Sequence, residues 1–92
     1  MNKDAAEKLA LEALAWLAAS DDLFGVFLGS TGANVSEVQS RAAEPDFLVS
    51  VLDFLVLDDQ WIVGFCDHTG YAYDKPEHAR QMLNGGGDLN WM

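Results

Sequence analysis

The stretch 46–57 of this 92-residue sequence reads DFLVSVLDFLVL, and it decides the fold. Its three polar residues, Asp46, Ser50 and Asp53, would share one narrow stripe of a helix. Nearly every other residue is Phe, Leu or Val, and Pro45 suits the first turn. A helix that is apolar on most sides needs neighbours on most sides. The stretch therefore predicts a core helix over 46–57.

Helical signals also dominate on both sides of this stretch, and no segment shows the alternation of apolar and polar residues that is typical of a strand. N-capping residues, capping-box spacings at Ser36/Gln39 and Asp74/Glu77, and Gly stops divide the rest of the chain. The predicted further helices cover 4–19, 21–30, about 36–43, 59–68 and about 75–83. We expect an all-α fold, a compact bundle of five or six short helices. It would form one domain over 1–84, followed by a Gly-hinged C-terminal tail, 85–92, that packs on the bundle.

An internal similarity appears when the chain is aligned with itself at an offset of 38 residues. Residues 9–42 then align without gaps on 47–80, so that Phe27 matches Phe65 and Thr31-Gly32 matches Thr69-Gly70. The two capping boxes match as well. One hypothesis is a pair of three-helix repeats related by approximate twofold symmetry. The alternative is that any helical chain of this length repeats its caps.

The charge balance limits the classes of partner. Fifteen acidic residues stand against five basic ones, a net charge of −10, and the cations are scattered. Binding by phosphate neutralisation is therefore disfavoured, and so is an anionic membrane surface. Aspartates also interrupt the apolar stretch 47–66, which argues against a bilayer span. We expect no nucleic acid and no membrane, whereas a basic protein partner is permitted.

Cys66 is the only cysteine, which excludes an internal disulfide and suits a reducing compartment. The N-terminal residues carry no apolar run typical of a signal peptide. We therefore expect a cytoplasmic protein of bacterial type.

Cys66, His68 and His78 are the residues that most invite a chemical role. Adjacent helical residues point about 100° apart, so Cys66 and His68 would not face each other. We interpret Cys66 as a buried small residue and His68 as a favourable charge at a helix C-terminus. The carboxylate pairs fall at predicted helix starts, where they cap backbone N–H groups. We predict no catalytic residue, no metal and no cofactor, and keep Cys66, His68 and His78 as pocket candidates.

Surplus apolar surface supplies the leading functional hypothesis. The later half of the first helix is apolar nearly all round, and the tail adds further apolar residues. The candidate docking residues are Leu11, Ala15, Ala18, Leu89 and Trp91, and the candidate acidic rim is Asp53, Asp58 and Asp59. The hypothesis is a non-enzymatic protein-binding or adaptor module with an apolar patch rimmed by acids. The alternatives are a small-ligand-binding protein or minor enzyme with a pocket between the two halves, and a self-associating homodimer subunit with a structural role.

Four segments carry a resemblance that spans almost the whole chain. They are ALAWLA at 13–18, Phe27-Leu28 with Thr31-Gly32, VLDFL at 51–55, and the closing Leu83, Gly85-Gly86 and Trp91. In this order they resemble a family of short uncharacterised bacterial proteins, domain of unknown function 3572. The family pattern often has prolines where this chain has Val35-Ser36 and Asn84. The resemblance implies an α-helical fold and brings no activity, cofactor or site residue.

Overall fold

The structure, a computed structural model, describes residues 1–84, and within them the chain forms six α-helices and no strand. The helices are α1 (Lys3–Ala18), α2 (Asp21–Thr31), α3 (Val35–Arg41), α4 (Pro45–Leu55), α5 (Asp59–Thr69) and α6 (Lys75–Leu83). The all-α prediction is confirmed. The predicted ends of the helices differ from these bounds by two residues or fewer.

Helix α4 is the centre of the core, as the stretch 46–57 predicts. Six of its side chains are buried: Phe47, Leu48, Val51, Leu52, Phe54 and Leu55. Asp46 and Asp53 are exposed and Ser50 is half-buried, so the polar stripe faces outward. Helices α1 and α6 pack against α4 and against each other, and α2 packs against both α1 and α4. The core is therefore built around the trio α1, α4 and α6.

Helices α2 and α5 end in the same way. The hydroxyl of Thr31 donates to the carbonyl of Phe27 at 2.9 Å, and that of Thr69 donates to the carbonyl of Phe65 at 2.8 Å. Each helix then stops at a glycine in the left-handed conformation, with φ of 75° at Gly32 and 89° at Gly70. Both phenylalanines are fully buried. The matched segments of the internal alignment thus form one local structure twice.

The third helices of the two proposed repeats pack differently. Helix α6 makes extensive contacts with α1 and α4, whereas α3 makes no comparable contact with either among residues 1–84. The structure therefore does not show a twofold relation between the complete three-helix units, and that relation stays a hypothesis.

Both predicted capping boxes are wrong. The box of α3 joins Asn34 and Glu37: the Asn34 side chain accepts from the Glu37 N–H at 2.8 Å, and the Glu37 side chain accepts from the Asn34 N–H at 3.2 Å. The helix begins one residue earlier than predicted because the backbone of Asn34 is extended, as a cap requires. Asp74 has αR backbone angles and makes no capping hydrogen bond in the described chain.

Substitution by alanine should destabilise the protein at the two left-handed glycines and stabilise it at a glycine inside a helix. Gly32→Ala and Gly70→Ala should each lower the free energy of unfolding by about 1 kcal/mol, because a Cβ is strained at positive φ. Gly25→Ala should raise it by about 0.5–1 kcal/mol, since a Cβ there meets nothing within 4 Å and alanine favours helix. Urea unfolding of the three variants measures whether each substitution lowers or raises the free energy of unfolding. A neutral Gly32→Ala would contradict the assignment of the cap.

Candidate functional site

An open cleft of about 480 Å³ lies where the later half of α1 meets the start of α2 and the end of α5. The residues that line it are Glu12, Ala15, Trp16, Ala19, Ser20, Leu23, His68 and Thr69. We call it the first cleft. Most of these residues come from the first half of the chain, whereas His68 and Thr69 come from the second.

Trp16 is fixed in the first cleft by contacts with α5. Its ring packs edge-to-face on Phe65, with the ring centroids 6.1 Å apart and the planes at 69°. A Cβ on Gly64 would lie 3.0 Å from Cζ2 of Trp16, so the glycine leaves the room that the indole occupies. Phe65 is buried and stacks in turn on Tyr71 at 6.0 Å. The half-buried indole is thus a rigid apolar surface at the cleft.

Glu12 is held in the cleft wall by a contact between distant parts of the chain. The hydroxyl of Tyr71 donates to Oε1 of Glu12 across 59 residues of sequence. This hydrogen bond, burial and the nearby negative charge, in that order, raise the pKa of Tyr71 to about 12. The tyrosine therefore stays protonated at neutral pH, and its hydroxyl donates a hydrogen bond that orients the Glu12 carboxylate.

The surroundings of the first cleft favour a cation. Glu12 lines it, Asp21 and Asp22 follow the lining residue Ser20, and Asp67 precedes His68. No lysine or arginine is among the described residues of its wall. Helices α1 and α5 both end there, and helix C-termini carry partial negative charge. The positive end of α2 also borders the cleft, but its first turn holds the two aspartates that offset it.

A second cleft, of about 340 Å³, lies between the end of α2 and the later half of α4. Ser30, Thr31, Ser50, Asp53, Phe54 and Leu57 line it. Asp53 forms an ion pair with Arg80 of α6 at 3.3 Å, and Leu57 is 72% exposed. Phe54 packs edge-to-face on Phe27, with centroids 5.3 Å apart at 72°.

The structure brings some of the predicted docking residues together. Leu11 is 43% exposed on α1, Ala15 and Ala18 are exposed on the same helix, and Ala15 lines the first cleft. Leu89 and Trp91 lie outside the described residues.

The predicted acidic rim is not gathered around these residues. Asp53 lines the second cleft, whereas Ala15 lines the first. Asp58 caps α5 by accepting from the Gln60 N–H at 2.8 Å, and Asp59 is exposed in the first turn. That end of α5 is ~16 Å along the helix from the end that reaches the first cleft.

The pocket candidates are also separated. Cys66 is buried, and its thiol donates to the carbonyl of Ala72 at 3.5 Å. Burial, and then the charges of Asp67 and Asp74, raise the pKa of this thiol, so it is a poor nucleophile at neutral pH. His68 is exposed at the first cleft, whereas His78 lies on α6, 3.8 Å from Asp74. Within residues 1–84, no group of three His, Cys, Asp or Glu residues is arranged to hold a metal ion.

The sequence candidates Ala15 and His68 both line the first cleft. Sequence reasoning gave no functional role to the other residues that build it: Glu12, Trp16, Leu23, Thr69 and Tyr71. The contacts of Glu12 with Tyr71 and of Trp16 with α5 are tertiary, and no helical spacing announces them. The one available signal was Gly64, a glycine inside a predicted helix, which often marks a close approach.

The fold defines the class of this protein: a small all-α bundle, in which residues 1–84 form the two open clefts described above. The profile of the family described as Protein of unknown function (DUF3572) matches residues 3–86 of the 92, and the chain belongs to that family. The resemblance seen in the sequence is confirmed. No curated protein and no solved structure matched the chain significantly. None of the helices found in residues 1–84 is both long and apolar enough to cross a membrane.

The Tyr71–Glu12 contact predicts a raised pKa of Tyr71, which can be followed by the absorbance of the phenol. In Tyr73→Phe protein, Tyr71 is the only tyrosine, and its absorbance should titrate near pH 12 instead of the ordinary 10. Because the folded pKa is raised, the contact contributes its full stability below pH 10 and loses it as the pH rises through about 12. Adding Glu12→Gln should lower the pKa towards 10, and the control Glu7→Gln on the same helix should not. An unchanged pKa in Glu12→Gln would show that the carboxylate is not the partner.

Proposed function

We propose that this protein is a non-enzymatic binding module whose partner is a protein segment that carries basic residues. The first cleft is the docking site, and the observation that carries the proposal is its rigid apolar surface beside the Glu12 carboxylate. Asp21, Asp22 and Asp67 follow or precede lining residues in the sequence. Leu11 lies one helical turn before Ala15, so it extends this apolar surface along α1. Apolar surface supplies affinity, and the carboxylates select a partner of opposite charge.

The chemistry of the site supports binding over catalysis. The one cysteine is buried with a raised pKa, and Glu12 is engaged by Tyr71. An enzyme needs a nucleophile or base presented next to a pocket. Two hydroxyls also line the first cleft, but Thr69 donates to the carbonyl of Phe65 and Ser20 caps α2 by accepting from the Leu23 N–H. His68 is the remaining candidate, and no hydrogen bond within residues 1–84 joins it to an acid or nucleophile of the wall.

A pair of Ala→Lys variants on one helix tests this function. Ala15→Lys places a cation in the first cleft, where it would repel a basic partner, whereas Ala5→Lys makes the same change at an exposed position in the first turn of α1. In cross-linked pull-downs at physiological salt, Ala15→Lys should reduce the retained partner about tenfold or more and Ala5→Lys should leave it unchanged. Both variants should melt near the parent temperature. Equal retention by the two variants would refute the proposal.

A small apolar ligand is the second candidate occupant, because about 480 Å³ is within the usual range of ligand sites and His68 supplies a polar group. Native mass spectrometry of the freshly purified protein tests it. A bound mass of small-molecule size that Ala15→Lys loses and Ala5→Lys keeps would favour this function. If neither the parent protein nor either of the two variants carries such a bound mass, a small ligand is excluded as the occupant.

A further inference from the structure

The two clefts are built from equivalent positions of the internal alignment. Each of the six residues that line the second cleft lies 38 positions from a residue that lines the first. The pairs are Glu12 and Ser50, Ala15 and Asp53, Trp16 and Phe54, Ala19 and Leu57, Ser30 and His68, and Thr31 and Thr69. The alignment rests on sequence and the clefts on coordinates, so the coincidence joins two independent observations.

The aromatic contacts beneath the clefts obey the same relation. Trp16 packs on Phe65 at an interplanar angle of 69°, and the equivalent Phe54 packs on Phe27 at 72°. In each case, the first helix of one repeat meets the second helix of the other. Each cleft therefore has an aromatic ring held edge-to-face and a threonine at a helix end. The exposure of the two rings differs, because Trp16 is half-buried whereas Phe54 is 3% exposed and also stacks on Trp61.

The electrostatic setting is shared as well. Two helix C-termini border each cleft: those of α1 and α5 at the first, and those of α2 and α4 at the second. Each wall contains one carboxylate, Glu12 or Asp53, and neither wall contains a lysine or arginine among the residues described. Partial negative charge at helix ends and a carboxylate both favour a cation.

We infer that the protein is bivalent: the second cleft is a second docking site at the positions equivalent to the first. Each cleft accepts a basic amphipathic segment, with an apolar side chain against Trp16 in the first cleft and against the exposed Leu57 in the second. The inference rests on the proposed function for the first cleft. A second copy of this chain fits poorly, because its net charge is also −10. The chain's own segment 85–92, GGGDLNWM, has no cation to offer.

The second site should be the weaker one. Arg80 lies 3.3 Å from Asp53 and offsets its charge, whereas the partner of Glu12 is a neutral hydroxyl. The second cleft also has the smaller volume, about 340 Å³ against about 480 Å³.

The test uses the full chain and a short helical peptide of leucine and lysine, with leucine at amphipathic spacing, in isothermal titration calorimetry. Two peptides should bind per chain, the second several-fold more weakly. A peptide with Glu for Lys should bind at least about tenfold more weakly at both sites, because the charge complementarity is reversed.

Two variants distinguish binding at the first cleft from binding at the second, and they lie at exposed positions that are equivalent in the internal alignment. Ala19→Lys puts a cation in the first cleft and Leu57→Lys puts one in the second, with little demand on the core. Each should reduce the stoichiometry from two to one, and the double variant should bind none. Lys at the exposed position Ala43, outside both clefts, is the control and should leave two sites. Backbone amide shifts in the parent protein should move at Ala15 and Thr69 and, at higher peptide concentration, at Asp53 and Thr31.

Each other outcome overturns the inference in a recognisable way. One site that only Ala19→Lys removes would leave the proposed function standing and refute bivalence. Two sites with equal affinity for the acidic peptide would refute the basic partner, and binding that Ala43→Lys reduces as much as the cleft variants would reveal diffuse attraction to a polyanion. Peptide binding that dissociates a dimer would identify a second copy as the occupant, and tighter binding by Trp91→Ala would identify the C-terminal segment. No binding at all refutes the inference, whereas the proposed function is judged separately by the pull-down with Ala15→Lys.

Discussion

The burial of α4 on nearly all its sides is the constraint on which the rest of the structure depends. Six of its eleven residues are buried, and the polar stripe of Asp46, Ser50 and Asp53 faces solvent together with Pro45 and the half-buried Val49. Helices α1 and α6 cover it by close packing, with Leu9 and Leu17 of α1 and Ala79 of α6 fully buried. Because an apolar helix of three turns exposes too much surface to be stable alone, the remaining helices must be arranged around it.

Helix α5 is attached in another way, and the first cleft follows from that difference. Large rings hold it to the bundle: Trp61 stacks on Phe54 with centroids 4.6 Å apart, and Phe65 meets Trp16 at 6.1 Å. Within the described chain, α5 has no extensive close backbone packing with another helix. Helices spaced by aromatic side chains leave room beside the rings. The site is therefore a consequence of how the core is closed.

The sequence predicted the helices well and the contacts between them poorly, for a physical reason. Apolar spacing and Gly stops are local, so the core helix and the ends at Gly32 and Gly70 could be read directly. Two overlapping capping boxes were possible near residue 35, and only the extended backbone of Asn34 decides between them. The cleft required knowing that Tyr71 reaches Glu12, and nothing along the chain fixes such a pairing.

The equivalence of the two clefts shows how identical local signals acquire different surroundings. Both Phe-x-x-x-Thr-Gly segments bury the phenylalanine and turn the threonine hydroxyl back onto its carbonyl. The end of α2 then meets α4, and the end of α5 meets α1. The residues that face the two ends differ, because Ala15 and Ala19 of the first cleft occupy the positions equivalent to Asp53 and Leu57 of the second. Asp53 is paired with Arg80 at 3.3 Å, whereas Ala15 in the equivalent place carries no charge and lies beside the half-buried indole of Trp16. Under the proposed bivalence, these few side chains determine the relative strength of the two sites. Equivalent positions with unequal walls would then give one chain two sites for related ligands at different affinities.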